Sequence, residues 1–178
     1  QTCALPISTV HVLYGWTPLL LAKYSATLDH MSQGRWGMNM VTGIKTEDFE
    51  MFGLEPIDHD TRYEIADELM DAMKLLWGSA DNVDFAGKHF RMKKGFVSPK
   101  PINGRPILVN ASSSGAGVAF AAKHSDLLFI TRPAGEDVYG LLKAHNAKIK
   151  EQAAELGHQV RTDRKSTRLN SSHLVISY

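Results

Sequence analysis

The chain has 178 residues, 43% of them hydrophobic and 22% charged, with 20 basic and 19 acidic side chains and a formal net charge of +1. Near-neutrality leaves no electrostatic footprint for a nucleic acid, no apolar run approaches a membrane span, and the lone Cys3 offers no disulfide. What remains is a chain of mixed composition, long enough for one globular domain.

In chain order, the first segment is explained by the last. One coding sequence for residues 163–169, GAT CGG AAG AGC ACA CGT CTG, has a reverse complement that translates as residues 1–7. Two unrelated protein ends have no physical reason to encode one inverted repeat. This repeat looks like a sequencing-adapter oligonucleotide read in both directions. Residues 1–8 and 163–178 are therefore expected to be foreign, and residues 9–162 to be the native segment. Leaving out Asp163, Arg164, Lys165 and Arg168 takes the formal charge to −1, and Cys3 goes with the first segment.

Residues 9–14, β-branched and aromatic, read as a strand. Residues 17–31 follow with Leu20, Leu21, Tyr24, Leu28 and Met31 at helical spacing. Gly34 sits just past them, where a helix end favours left-handed backbone. Residues 35–41 read as the next strand, and Thr42-Gly43 opens a loop. The clearest helix is residues 61–77, where Ile65, Leu69, Met73 and Leu76 form one stripe and Asp60 is the expected N-cap. Residues 83–97 alternate around Gly87 as a hairpin, and the turn chemistry of Pro99-Lys100-Pro101-Ile102-Asn103-Gly104 predicts a loop. Residues 107–109 read as a buried strand, 115–124 as a helix and 126–131 as a strand. Val138, Leu141, Leu142, His145, Ile149, Ala153 and Leu156 then stripe a last long helix.

Strands alternating with helices predict an α/β architecture of parallel βα units. A barrel and an open doubly wound sheet share that pattern. No Gly-x-Gly-x-x-Gly turn follows any strand, which weakens the dinucleotide-binding version.

A few residues carry candidate chemistry. Ser112, Ser113 and Ser114 precede a helix, so hydroxyls and free N–H groups converge there; this suits a phosphate or a plain serine N-cap. Asn39 places an amide among Trp36, Met38, Met40 and Val41, which is costly to bury without a partner. Tyr14 and Trp16 follow the first strand, as rim packing or as lining of a site mouth. His11, His30, His89, His124 and His145 show no metal-ligand spacing, so no metal is assigned.

An ordered set of motifs resembles the bacterial luciferase-like monooxygenases. The stretch from Ala26 through Gly34-Arg35-Trp36-Gly37-Met38-Asn39-Met40-Val41-Thr42-Gly43 looks like that family's passage from its third to its fourth strand. Asp58-His59-Asp60-Thr61-Arg62-Tyr63 resembles its His-Asp-x-Arg-Tyr helix start, and Asp84-Phe85-Ala86-Gly87-Lys88-His89-Phe90 its insertion segment. Ser98-Pro99-Lys100-Pro101 resembles the turn after that, and Asn110-Ala111-Ser112-Ser113-Ser114-Gly115 its Ala-Gly-Ser-Ser phosphate turn. The nearest groups are the dimethylsulfone, alkanesulfonate and nitrilotriacetate-type monooxygenases and the pyrimidine oxygenases.

The resemblance implies a fragment of a (β/α)8 TIM barrel, since a whole one usually needs about 250 residues. It implies reduced FMN (FMNH2) as cofactor, held where the strands end in βα loops, with O2 and a small-molecule substrate as reactants. A separate flavin reductase, a cytoplasmic setting and a homo-oligomeric full-length protein come with it; nucleic acid and membrane partners do not. It makes Arg62, Tyr63 and His59 contacts to the flavin phosphate or ribityl chain, and Ser113 and Ser114 phosphate ligands. It makes Asn39 a partner of the flavin ring and aligns Asp48 with an acidic loop position. Two positions depart from the pattern: Ser112 stands where the family usually has glycine, which would crowd the phosphate, and Ile44 where it often has tryptophan. The expected activity is oxygenation of a small polar, organosulfur substrate. A pyrimidine-type ring-opening oxygenase, a deazaflavin-dependent oxidoreductase and a non-catalytic flavin-binding relative are the alternatives. No catalytic acid or base is named, and the fragment alone is expected to fold poorly and be inactive.

Overall fold

The computed structural model describes residues 5–12, 15–43, 46–112, 114–130, 138–159, 161–164 and 175–176. In chain order these form β1 (Leu5–Val12), α1 (Pro18–Met31), β2 (Gly37–Val41), α2 (Thr46–Met51), α3 (His59–Gly78), β3 (Val83–Ala86) and β4 (Arg91–Gly95). They continue with β5 (Ile107–Asn110), α4 (Gly115–His124), β6 (Leu127–Ile130), α5 (Val138–Glu155), β7 (Arg161–Arg164) and β8 (Val175–Ile176).

Six strands make one sheet in the order β7-β6-β5-β2-β1-β8, and β3 with β4 make a separate antiparallel pair. Every neighbour from β1 to β7 runs parallel, and only β8 is antiparallel, at Leu5 and Pro6 of β1. Parallel neighbours need crossovers, and helices supply them. α1 returns the chain from β1 to β2, α4 from β5 to β6, and α5 from β6 to β7. The β2–β5 crossover is the long one, holding α2, α3 and the β3–β4 hairpin.

The helix stripes explain the packing. Leu21, Ala22 and Ala26 of α1 meet Leu69, Met70, Met73 and Leu76 of α3 over Met38 and Met40 of β2 and Leu108 of β5, in one buried cluster. Alternate strand residues point to one face, which is why Met38 and Met40, two apart, both reach that layer. Full burial of side chains such as Leu69 or Met73 contributes about 1.5–3 kcal/mol each. A second cluster joins Val118, Ala121 and Ala122 of α4, Leu128 of β6, and Ile149 and Ala153 of α5.

Three details correct the sequence expectations. The N-cap of α3 is Asp58, not Asp60: its side chain accepts from the Thr61 amide at 3.0 Å, and its backbone is extended (φ −62°, ψ 157°). Asp60 already lies in the first turn and pairs with His59. The first strand starts at Leu5, inside the segment expected to be foreign, and ends at Val12. The loop after Thr42-Gly43 contains α2, whose six residues are too few to show a period. β7 and β8 carry the sheet on to Arg161–Arg164 and Val175–Ile176.

Other expectations match. Gly34 has φ +77°, and its N–H closes the end of α1 on the Asp29 carbonyl at 2.8 Å. The Pro99–Gly104 loop is docked on that end: buried Asp29 accepts from the Ile102 amide at 2.7 Å, and Asn103 Nδ2 donates to the Gly34 carbonyl at 3.1 Å. No helix among the described residues is long and apolar enough to cross a membrane.

Candidate functional site

The residues singled out above converge where β2 and β5 end. β2 runs out through buried Thr42 into Gly43, which takes φ +78°. The Gly43 carbonyl accepts from Arg62 Nη1 at 2.9 Å, so the first turn of α3 is tied to the carboxyl end of β2. The Arg62 guanidinium lies 5.5 Å from the centroid of the Phe49 ring, within cation–π range. Phe49 is itself buried on α2, so the short unforeseen helix has a definite role: it walls the arginine. Arg62 Nε is shielded from solvent and has no partner among the described residues.

Tyr63 faces the other strand. Its hydroxyl is 2.8 Å from Ser112 Oγ, and its ring sits between His59 (centroids 5.1 Å apart, edge-on) and Phe120 (5.8 Å). His59 is half exposed, with Nδ1 2.8 Å from Asp60, so the structure places it beside Tyr63 with its polar edge turned along its own helix. Nearby, hydrogen bonds from Thr61 hold the Asp58 carboxyl below its ordinary range.

The start of α4 completes the cluster. Ser114 caps the helix, its side chain accepting from the Gly117 amide at 3.2 Å, in extended backbone (φ −72°, ψ 159°). Gly117 is a tight spot: a Cβ there would fall 2.6 Å from the Tyr63 hydroxyl, closer than real Cβ atoms come. The first amides of a helix have no partner within it, so α4 presents N–H groups beside the Tyr63 and Ser112 hydroxyls.

Asn110, the last residue of β5, is fully buried. Its Nδ2 donates to the Met40 carbonyl at 2.8 Å, and its Oδ1 is shielded without a partner among the described residues. It was not among the candidate site residues, although the argument made for Asn39 applies equally: an amide at the end of an apolar strand. Asn39 itself is half-buried on β2, with Oδ1 out of solvent.

The remaining candidates lie elsewhere or outside the description. Asp48 falls on α2, with its side chain outside the described part, and Ser113, Tyr14 and Ile44 are outside the described residues. Trp16 packs on the main core cluster and pairs with Tyr24 at 5.4 Å, so it serves packing. No group of three His, Cys, Asp or Glu among the described residues could hold a metal ion.

The chemistry gathered here is of the kind that suits an anion. A guanidinium, three hydroxyls and a helix start meet within one face, at the carboxyl end of a parallel sheet where such folds bind ligands. The shielded Arg62 Nε is left for a partner the chain does not supply among the described residues, while Gly117 lets the Ser112 and Tyr63 side chains pack against the start of α4.

Comparison with known proteins identifies the family. The sequence model described as luciferase-like monooxygenase matches residues 7–172. A pristinamycin IIA synthase component from Streptomyces pristinaespiralis is 39% identical over 126 residues, 68% of this chain and 30% of that protein. The FMNH2-dependent dimethylsulfone monooxygenase of Pseudomonas fluorescens (strain Pf0-1) is 35% identical over 146 residues, 82% of this chain and 38% of that one. Among solved structures, a riboflavin lyase crystallised with modified FMN and riboflavin superposes with a TM-score of 0.80 at 26% identity, over 92% of this chain and 41% of its own. The chain thus spans 30% and 38% of the lengths of these two curated relatives. With a family match running through nearly all of its residues, the chain belongs to the luciferase-like monooxygenase family.

Proposed function

We propose that this chain is the central part, residues 9–162, of a reduced-FMN-dependent monooxygenase that uses O2 to oxygenate a small polar, organosulfur substrate. One observation carries the reading: Arg62, Tyr63, Ser112 and the start of α4 meet at the carboxyl ends of β2 and β5. The likeness to an FMNH2-dependent dimethylsulfone monooxygenase over 82% of this chain supports both the cofactor and the substrate class.

Reduced FMN, when bound, supplies the electrons that activate O2. The chain's own residues do the holding. Arg62 brings a permanent positive charge to the phosphate, fixed in aim by Phe49 and the Gly43 carbonyl. Tyr63, Ser113 and Ser114 donate hydroxyl protons to the phosphate oxygens, and the first amides of α4 add theirs. His59 flanks the ribityl chain, and Asn39 directs its amide to the ring edge from inside β2. Asp48, a residue of α2, is a further proposed contact. The apolar layer beneath the site keeps bulk water away from the reacting atoms. A separate reductase delivers the reduced flavin, and the intact protein is a homo-oligomer.

The test uses the intact barrel protein that carries this segment. O2 consumption dependent on reduced FMN and stimulated by dimethylsulfone supports the proposal. Replacing Arg62 with alanine is expected to weaken FMN binding by about 10- to 100-fold, the usual worth of a charge-assisted contact. Hydride exchange with a deazaflavin and no O2 uptake would overturn it in favour of a dehydrogenase. Tight flavin binding with neither activity would make the protein a flavin carrier.

A further inference from the structure

Ser112 stands where the family pattern has glycine, and the structure gives its side chain a definite place. It lies against Gly117 at the start of α4 and meets Tyr63, with the two hydroxyl oxygens 2.8 Å apart. Tyr63 cannot move to meet it, because its ring is set between His59 and Phe120. Both hydroxyls occupy space that exists only because residue 117 has no side chain: a Cβ there would sit 2.6 Å from the Tyr63 oxygen and 2.8 Å from Ser112 Oγ. Three residues on three elements, α3, the β5–α4 turn and α4, are therefore fitted to one another.

Two hydroxyls in contact carry two protons but need only one for the bond between them. The serine hydroxyl rotates freely, whereas the tyrosine oxygen is fixed by its ring. If Ser112 donates to Tyr63, the phenolic proton is left to point outward, and the chain of donors polarises it further. We propose that Ser112 is a positioning residue: its hydroxyl hydrogen-bonds Tyr63 and turns the Tyr63 proton toward the flavin phosphate, in a space kept open by Gly117. This rests on the flavin reading above. It also reverses the expectation that a serine here would crowd the phosphate.

The experiment measures dissociation constants for FMN and for riboflavin, which lacks the phosphate, on the intact barrel protein. The forms compared are the unaltered protein, Ser112→Ala, Tyr63→Phe and the double variant, with thermal unfolding recorded for each. Ser112→Ala is expected to weaken FMN binding about three- to tenfold, the worth of one neutral hydrogen bond, and to leave riboflavin binding unchanged. In the Tyr63→Phe background the same change is expected to cost nothing more, since the serine acts through the tyrosine. Should Ser112→Ala fold poorly, Ser112→Gly removes the same hydroxyl with the residue the family tolerates. Unchanged or tighter FMN binding, an equal loss for riboflavin, or fully additive losses would each overturn the assignment. An unaltered protein that binds FMN no better than riboflavin would instead sink the phosphate reading itself, which keeps the two failures apart.

Discussion

His124 is fully buried at the end of α4, with Nδ1 2.8 Å from Lys74 Nζ and Nε2 2.6 Å from Asp67 Oδ1. Lys74 donates, so Nδ1 must keep its lone pair; Nε2 then carries the proton and donates to Asp67, and the ring is neutral. Burial pushes the His124 pKa below its ordinary 6.5, against the hydrogen bond to Asp67, which acts the other way. Asp67 is drawn down to about 2, chiefly by that same hydrogen bond and also by Lys123, which bridges Asp67 and Asp71. Both folded values lie below the unfolded ones, so the unfolded chain takes up more protons in acid and stability falls with pH. The His124 share is lost as pH drops below 6.5, and the Asp67 share between 3.8 and about 2. On the intact barrel protein, the urea midpoint is therefore expected to decline as pH falls below 6.5, and His124→Asn to flatten that decline. An unaltered midpoint across that window would refute the neutral assignment. Nothing in the sequence announced this group: Asp67 and His124 are 57 residues apart, and only the packing of α3 on α4 joins them. The same is true in the candidate site. Arg62 and Tyr63 were visible through a motif, but their partners Gly43 and Ser112, 19 and 49 positions away, were set by the register of β2 and β5.

Beside the packing of Val83, Phe90 and Met92 on the core, one carboxylate of α3 ties down the turn of the β3–β4 hairpin. Glu68 accepts from the amides of Lys88, His89 and Phe90, and Gly87 supplies the bare backbone that lets it approach. Lys88 adds a 2.7 Å ion pair to Glu64, which is exposed and contributes little by itself. Glu68→Ala leaves three amides without an acceptor. We expect a loss of about 1–3 kcal/mol in urea unfolding and faster hydrogen exchange confined to residues 88–90. Exchange unchanged at those amides would show that the hairpin holds itself. At this scale most of the fold was legible. Apolar stripes placed α1, α3 and α5 to within about two residues, the usual uncertainty of helix ends, and α4 matched its expected range. Caps and short helices were not. Asp58 and Asp60 precede the same stripe, and only the extended backbone at Asp58 decides between them. α2 is shorter than two turns, too brief for periodicity to register.

The sheet, read from end to end, terminates at β7 on one side and β8 on the other, so two strand edges lie open among the described residues. Every member of both core clusters falls between Leu21 and Ala153, well inside the segment proposed as native. Open edges and the uncovered inner face of a part-barrel invite association with other chains. The chain by itself is expected to self-associate and to melt over a broad range, as seen by ultracentrifugation and near-UV circular dichroism. A sharp cooperative transition from a monomer would contradict this. Within that frame α3 is a beam about 30 Å long, 20 residues at about 1.5 Å each. Its first turn supplies Arg62 and Tyr63, its next turns carry the hairpin through Glu64 and Glu68, and its middle braces α4 through Asp67 and Lys74. Its far end is clamped by Lys100 on the Leu76 carbonyl and by Trp77 on Ala22. Because Lys88 pairs with Glu64, the residue after Tyr63, the outer turn of the hairpin and the candidate site rest on adjacent positions of one helix, and a substitution that shifts the start of α3 disturbs both at once.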